Sequence, residues 1–273
     1  MKRLFVNRKE KTNPGDWWST PKHYFEEYKN DEWVDIFDLN KTNLLEYDQI
    51  IVGGGGLLLN KNFKKFLSLL NNPEVVPKVI FWGVGVNSPY SKFASQKDIE
   101  NDSYKFSLKL NTFKNKQINV RDKQNSYKIM PCASCLHPIF DKQIEVERDF
   151  LIINHNKIQS FKKEKYWIQK ENIDCIGNTI ENIVTEIKKS KIVYTQSYHG
   201  AYWAALCNRK SIVYKPWSTK FLNCDFTVKV LAHNMVNDLD YNTDIPEPNP
   251  NYLNECRKKN LKLYEDINSN NLE

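Results

Sequence analysis

Residues 191–221 read KIVYTQSYHGAYWAALCNRKSIVYKPWSTKF, and the fold class follows from them. The apolar run Ile192-Val193-Tyr194 predicts a buried strand. A polar turn, Thr195-Gln196-Ser197-Tyr198-His199-Gly200, leads into a small-residue helix over 201–206. Ser211-Ile212-Val213-Tyr214 then predicts the next strand. Strand, turn, helix, strand is a βαβ unit, and its polar residues gather where strand becomes helix. Ligands bind at that edge of an open α/β sheet, because helix N-termini there offer unpaired N–H groups. His199 therefore stands where a titratable side chain would meet an anionic substrate. Ser197 and His199 also suit a plain helix cap, so the turn alone does not decide between ligand contact and structure.

Other strand ends repeat the pattern. Arg3-Leu4-Phe5-Val6 predicts a first strand, and Asn13-Pro14-Gly15-Asp16 a turn into a helix reaching Glu27. That order places Asn13, Gly15 and Asp16 at the ligand edge. Further strands are expected at 34–37 and 49–52, the latter running into Gly53-Gly54-Gly55-Gly56, four of the chain's nine glycines. Four glycines after a buried strand imply a sharp turn and close approach of a second group to the backbone. Exposed N–H groups of such a loop suit phosphate or carboxylate. The loop has neither the GK[ST] of a P-loop nor the dinucleotide fingerprint. A helix is expected at 63–70. The strand over 78–82 ends in Gly83-Val84-Gly85, a third glycine-bearing strand end, and a helix is expected over 96–114. The strand over 117–120 delivers Arg121-Asp122, with Ser126 in the next helix. A guanidinium there forms a planar fork for carboxylate or phosphate, or a salt bridge with Asp122.

A boundary is expected near 148/149, giving an N-terminal Rossmann-like domain over 1–148 and a C-terminal one over 149–273. Phe150-Leu151-Ile152-Ile153 opens the second half, with Asn154-His155-Asn156 at its end. A strand at 174–176, an amphipathic helix over 179–190 and a surface helix over 252–267 complete it, with 268–273 as a frayed end.

Composition narrows the function classes. Hydrophobic residues make up 40% and charged ones 27%, which excludes a disordered chain. Aromatics reach 13%, with 7 Trp and 14 Tyr, a content suited to stacking on sugar rings or to an aromatic core. No segment approaches the roughly 20 apolar residues that span a bilayer, and the N-terminus lacks a signal-peptide pattern. A cytoplasmic protein is expected. The net charge of +7 suits anionic partners, and no nucleic-acid module is present. Phosphorylated small molecules, or peripheral contact with the anionic inner face of a membrane, are the partners that remain. Six cysteines without an export signal are expected as thiols. Cys132 and Cys135 have metal or redox spacing, but no second pair completes a zinc site, so no metal is expected.

Taken in order, NxGD near the N-terminus, IIVGGGGLL, FWGVGVN, VRDxxS, PCASCLHPxFD and TxSYHGAYWAALxxRKxIVYxPxSxKF resemble the polysaccharide pyruvyl transferase family over residues 13–221. The resemblance implies a GT-B-like α/β fold, two Rossmann-like domains with parallel sheets facing a central cleft. It implies transfer of a carboxyvinyl-derived group from phosphoenolpyruvate, as co-substrate and without a cofactor, to two hydroxyls of a sugar. The product is a pyruvate ketal, and the basic surface fits an acceptor sugar on a lipid-diphosphate carrier and a nucleotide-linked one equally well. By position, His199 matches the family's acid catalyst and Arg121 the arginine that holds the donor. Asp16 is the candidate base. Asn13, Gly15, Gly54, Gly55, Gly83, Ser197, Tyr198, Gly200, Lys215, Ser218 and Lys220 are the candidate substrate contacts. Many relatives carry arginine where this chain has Ser197, and Lys215, Lys220 and Arg209 are the candidates to supply that charge. A nucleotide-sugar glycosyltransferase and a non-catalytic carbohydrate-binding protein are the rival readings, since a fold does not fix its chemistry.

Overall fold

The computed structural model describes residues 1–89, 94–109, 117–123, 127–155, 172–232 and 244–269. The first sheet holds β1 (Arg3–Asn7), β2 (Glu32–Asp35), β3 (Gln49–Gly53), β4 (Val79–Val84), β5 (Ile118–Val120) and β6 (Lys128–Ile129), in the order β2-β1-β3-β4-β5-β6. The second holds β7 (Arg148–Asn154), β8 (Asn172–Asp174), β9 (Ser190–Thr195), β10 (Lys210–Tyr214) and β11 (Lys229–Leu231), in the order β11-β10-β9-β7-β8. Every pairing between these strands is parallel. Parallel strands need crossovers that cover both faces, and so β3 and β4 are buried along their whole length. The expected two-sheet, parallel α/β class is what forms.

Strand order reverses direction between β1 and β3 in the first sheet, and between β7 and β9 in the second. Loops diverge at such switch points and leave a crevice beyond the strand ends. After β1 comes α1 (Pro14–Trp17), after β3 the glycine run, and after β9 comes α5 (Tyr198–Leu206). Helices α2 (Lys64–Leu67), α3 (Gln96–Lys109), α4 (Ile180–Lys188) and α6 (Tyr252–Asn268) complete the described set.

Several elements depart from the sequence pattern. The helix expected through Glu27 stops after one turn, and 3-10 turns at Pro21–His23 and Glu26–Tyr28 replace the rest. Pro21 has no N–H to continue the ladder and disfavours helical backbone at Thr20, which is extended. The helix at 63–70 is α2 followed by a 3-10 turn, Ser68–Asn71. The strands expected at 34–37 and 174–176 lie two residues earlier, as β2 and β8. β6 and β11 are strands of two and three residues, too short to show a period. Residues 110–114 of the helix expected at 96–114, together with Ser126, Asn156 and 270–273, lie outside the described residues.

The two halves exchange connecting segments. Cys132, Cys135, Ile139 and Phe140, which follow the first sheet, pack in the core of the second against α4 and α5. In return, Leu263 and Ile267 of α6 pack on the first sheet with Phe5, Ile51, Ile80 and Trp82. The buried Trp82 indole N–H donates to Asn260 Oδ1 at 2.7 Å, which fixes the register of that helix.

Candidate active site

Loops at the carboxyl ends of the two sheets are tied to one another. Thr219 N–H donates to Ser88 O (3.0 Å), Ser88 N–H to Thr219 Oγ1 (2.9 Å), and Gly177 N–H to Thr12 O (2.7 Å). Between these ties lie the side chains that the sequence singled out.

His199 sits in the first turn of α5. Ser197 caps that helix, its Oγ accepting the Gly200 N–H at 3.3 Å. The imidazole crosses to the first half of the chain. Its Nε2 is 3.6 Å from Cys132 Sγ. Its Nδ1 lies so near Gly15 that a Cβ there would be 2.1 Å from it, which is why the turn after β1 has glycine at this position. Burial, with the positive charges of Arg121 and Lys220, depresses the His199 pKa well below the usual histidine range. The ring is thus neutral at pH 7 in the unliganded protein.

Arg121 leaves the end of β5 with its guanidinium packed against Gly85, where a Cβ would be 1.9 Å from Nε. Its Cζ lies 3.7 Å from the centroid of the Tyr198 ring, a cation–π contact. The side chain is 2% exposed, yet Nε and Nη1 have no hydrogen-bond partner among the described residues. The neighbouring Asp122 does not pair with those nitrogens. Its Oδ2 instead accepts the Val86 N–H at 2.9 Å, and burial raises its pKa to about 7. A buried charge with unmet donors is costly unless an anion pairs with it. Gln196, after β9, likewise has both side-chain amide atoms buried without a partner among the described residues.

Asp16 completes the group. Its Oδ2 accepts from Asn13 Nδ2 at 2.7 Å, and its Oδ1 lies 3.4 Å from the Cβ position of Gly55, whose φ is +82°. Burial raises its pKa, opposed by Lys220, Arg121 and Arg8 in that order. Lys220 thus acts on both Asp16 and His199, while its ammonium rests 3.9 Å from the centroid of the Trp217 ring. Arg209 lies elsewhere, its guanidinium donating to Lys188 O.

Asn13, Gly15, Asp16, Gly55, Arg121, Ser197, Tyr198, His199 and Lys220 are therefore brought together. Four other candidates hold the structure around them. Gly54 N–H donates to Ser19 O at 3.0 Å. Gly83, at φ +64°, packs on Pro131 O, and Gly200 packs on Thr195 Oγ1. Ser218 Oγ donates to Asn87 Oδ1 at 2.5 Å, an inter-sheet tie. Lys215 is buried at the end of β10, at φ +46°.

Sequence reasoning missed Cys132 and Gly85. The motif PCASC was in view, but as a metal or redox spacing. Cys135 instead meets Asn260 Nδ2 (3.4 Å), and Cys132 meets Ser134 Oγ (3.3 Å) and His199. Both are free thiols, and nothing in a CxxC spacing says which loop crosses to which helix.

Two parallel sheets, with a histidine, a buried arginine and a carboxylate gathered between their switch points, define an α/β protein equipped to bind an anion and move a proton. The chain belongs to the polysaccharide pyruvyl transferase family, whose model matches residues 3–218. Membership makes it a transferase with a saccharide as acceptor. Among solved structures, the chain is similar to a functionally uncharacterised protein from Klebsiella pneumoniae subsp. pneumoniae NTUH-K2044. The two are 15% identical over 91% of this chain and 92% of that one, with a TM-score of 0.48. A comparison with curated proteins returned no match. Among the described residues, no helix is long and apolar enough to cross a membrane.

Proposed function

We propose that the protein transfers pyruvate from phosphoenolpyruvate to two hydroxyls of a saccharide, forming a ketal and releasing phosphate. The observation that carries this reading is the buried Arg121 guanidinium, with Nε and Nη1 unpartnered among the described residues, beside His199. Arg121 holds the donor carboxylate or phosphate through its planar fork, which Tyr198 supports from below. Lys220 supplies the second positive charge that Ser197 does not. Gly55 and the N-terminus of α5 offer backbone N–H groups to the remaining donor oxygens.

In the reaction, protonated His199 delivers its proton to the donor methylene carbon, which becomes a methyl group. The adjacent carbon gains oxocarbenium character, and the first acceptor hydroxyl attacks it, losing its proton to Asp16. The C–O bond to phosphate then breaks, its electron pair leaving with phosphate, which takes the proton held by Asp16. The second hydroxyl adds to close the ketal and returns its proton to His199. Acid–base assistance of this kind contributes ~10²–10⁴-fold, and Arg121 and Lys220 stabilise the charge that leaves with phosphate.

We assign the acceptor ring to the outer side of the same sheet edge. Trp17, next to Asp16, and Trp33 lie with ring centroids 4.8 Å apart, beside a cavity of about 500 Å³ lined by Arg8, Lys9, Trp33, Asp35 and Phe37 among others. Trp33 Nε1 donates to Asn7 Oδ1 (2.5 Å) and Asn7 Nδ2 to Asp16 O (3.0 Å), so these rings are fixed relative to the candidate base.

The test is thermal-shift and calorimetric titration with phosphoenolpyruvate on the wild type and on Arg121→Ala. A ligand that binds only the native state raises stability by RT ln(1 + [L]/Kd). Binding by the wild type and its loss in the variant are expected. Binding of nucleoside diphosphates with none of phosphoenolpyruvate would replace this donor with a nucleotide-sugar.

A further inference from the structure

The basic stretch between the glycine run and β4 is not used by the donor site. Residues 49–73 hold three lysines and no acidic residue, and the three fall together at Lys61, Lys64 and Lys65. All three are exposed, and among the described residues none is ion-paired. Helix α2 and the 3-10 turn Ser68–Asn71 carry this stretch, with Leu67 and Leu70 buried in the core beneath it. Leu69 lies three positions after Phe66 and four after Lys65, so the three are neighbours on the helical surface. Leu69 is 37% exposed, and Phe63 and Phe66 are half-buried. Phe37, 38% exposed, follows β2 and closes the patch, its ring centroid 5.2 Å from that of Phe63 and 5.4 Å from that of Phe66.

The acids flanking Phe37 are already paired, so the unpaired charge carried by these two segments is positive. Asp35 pairs with Arg8, and Asp38 with Lys41 at 2.7 Å. The Arg8 guanidinium also lies 5.1 Å from the centroid of the Phe37 ring. Apolar rings and a leucine rimmed by lysines suit the boundary zone of a bilayer. There the apolar groups reach the acyl boundary, while lysine stems extend to place ammonium groups among headgroup phosphates. A protein partner fits less well, because protein interfaces are depleted in lysine. A nucleic acid would use the lysines but leave Phe37 and Leu69 without a role.

We propose that Phe37, Phe66 and Leu69, rimmed by Lys61, Lys64 and Lys65, dock the protein on the surface of an anionic phospholipid bilayer. The contact is peripheral: the apolar side chains enter no further than the acyl boundary, and the lysines stay among the headgroups. Phe37 also lines the cavity assigned above to the acceptor, so docking brings that cavity to the headgroup layer. This consequence rests on the acceptor assignment, whereas the docking does not.

The experiment is co-sedimentation of the full chain with vesicles of phosphatidylcholine and phosphatidylglycerol, and with vesicles of phosphatidylcholine alone, at low and high salt. The wild type is expected to bind the mixed vesicles, to leave the neutral ones unbound, and to dissociate as salt rises. Lys61→Gln, Lys64→Gln and Lys65→Gln together should lower the partition coefficient roughly 100-fold, about fivefold for each lysine near an anionic surface. Leu69→Gln should lower it several-fold. All four positions are exposed, and thermal midpoints check that the variants fold. A control with the same change at Lys258, Lys259 and Lys262, exposed lysines of α6, should bind as the wild type does. A wild type that leaves the mixed vesicles unbound overturns the proposal, as does an equal loss in the control, which would assign binding to net charge. Wild-type affinity in Leu69→Gln also overturns it, since a purely electrostatic contact needs no apolar patch. So does retention of duplex DNA by the same lysines without vesicle binding. Vesicle binding together with an unchanged acceptor KM in Trp33→Ala supports the docking and faults only the acceptor assignment.

Discussion

His199 enters the cycle in an inactive charge state. Its depressed pKa leaves it neutral at pH 7, whereas protonating a methylene carbon requires the imidazolium. The causes of the depression suggest how the donor corrects it. Arg121 and Lys220 contribute, and a bound phosphate and carboxylate would pair with both cations. Their negative charge raises the histidine pKa toward or above neutrality. Donor binding should therefore take up protons, approaching one per site near pH 7. Calorimetric titration with phosphoenolpyruvate in buffers of different ionisation enthalpy measures that number, and His199→Gln should abolish it. Release of protons by the wild type would refute this coupling. At the same scale, His199 and Arg121 were legible because each follows a strand end. Gly15 was legible as a turn residue, but its close contact with His199 was not, because sequence carries no distance between two loops of different sheets.

At the scale of elements, apolar runs announced β1, β3, β4, β5, β7, β9 and β10, because a strand buried on both faces needs no partner to be recognised. β6 and β11 escaped because an edge strand of two or three residues has no pattern to show. The turn from β1 into α1 was legible as a ligand edge but not as an aromatic platform. Trp17 and Trp33 are 16 residues apart and meet only because β2 lies beside β1. If this platform seats the acceptor ring, Trp33→Ala should raise KM for the acceptor about tenfold, the loss of ~1.4 kcal/mol of stacking and burial. Phosphoenolpyruvate affinity should stay within about twofold, since the Arg121 end of the site is untouched. Steady-state kinetics with each substrate varied in turn separates the two. A change confined to the donor would move the acceptor to another part of the edge.

For the whole molecule, the two-sheet plan follows from alternating strand and helix signals. The exchange of connecting segments does not, because it depends on which face of α6 meets which sheet. The meeting of the halves around Arg121 also sets how stability should respond to pH. Asp122 is fully buried, and its pKa stands at about 7 in the folded chain against 3.8 as the ordinary value. Between those values the folded protein binds more protons than the unfolded one, so stability falls as pH rises from about 4 to about 7 and is level above that. His199 acts in the opposite sense over a lower window. Its pKa is depressed, so its contribution rises with pH and is complete above its unfolded value of about 6.5. Asp122→Asn removes the carboxyl's penalty, and the amide oxygen can still accept the Val86 N–H. Chemical denaturation from pH 4.5 to 8 should show the variant gaining on the wild type as pH rises. The gain should reach a few kcal/mol at most, at ~1.4 kcal/mol for each tenfold change in proton affinity. A variant curve that stays parallel to the wild type would mean that Arg121, one residue away, already stabilises the Asp122 carboxylate. Phosphoenolpyruvate would then compete with that carboxylate for the guanidinium, and the same titration repeated at saturating donor would show Asp122 becoming easier to protonate.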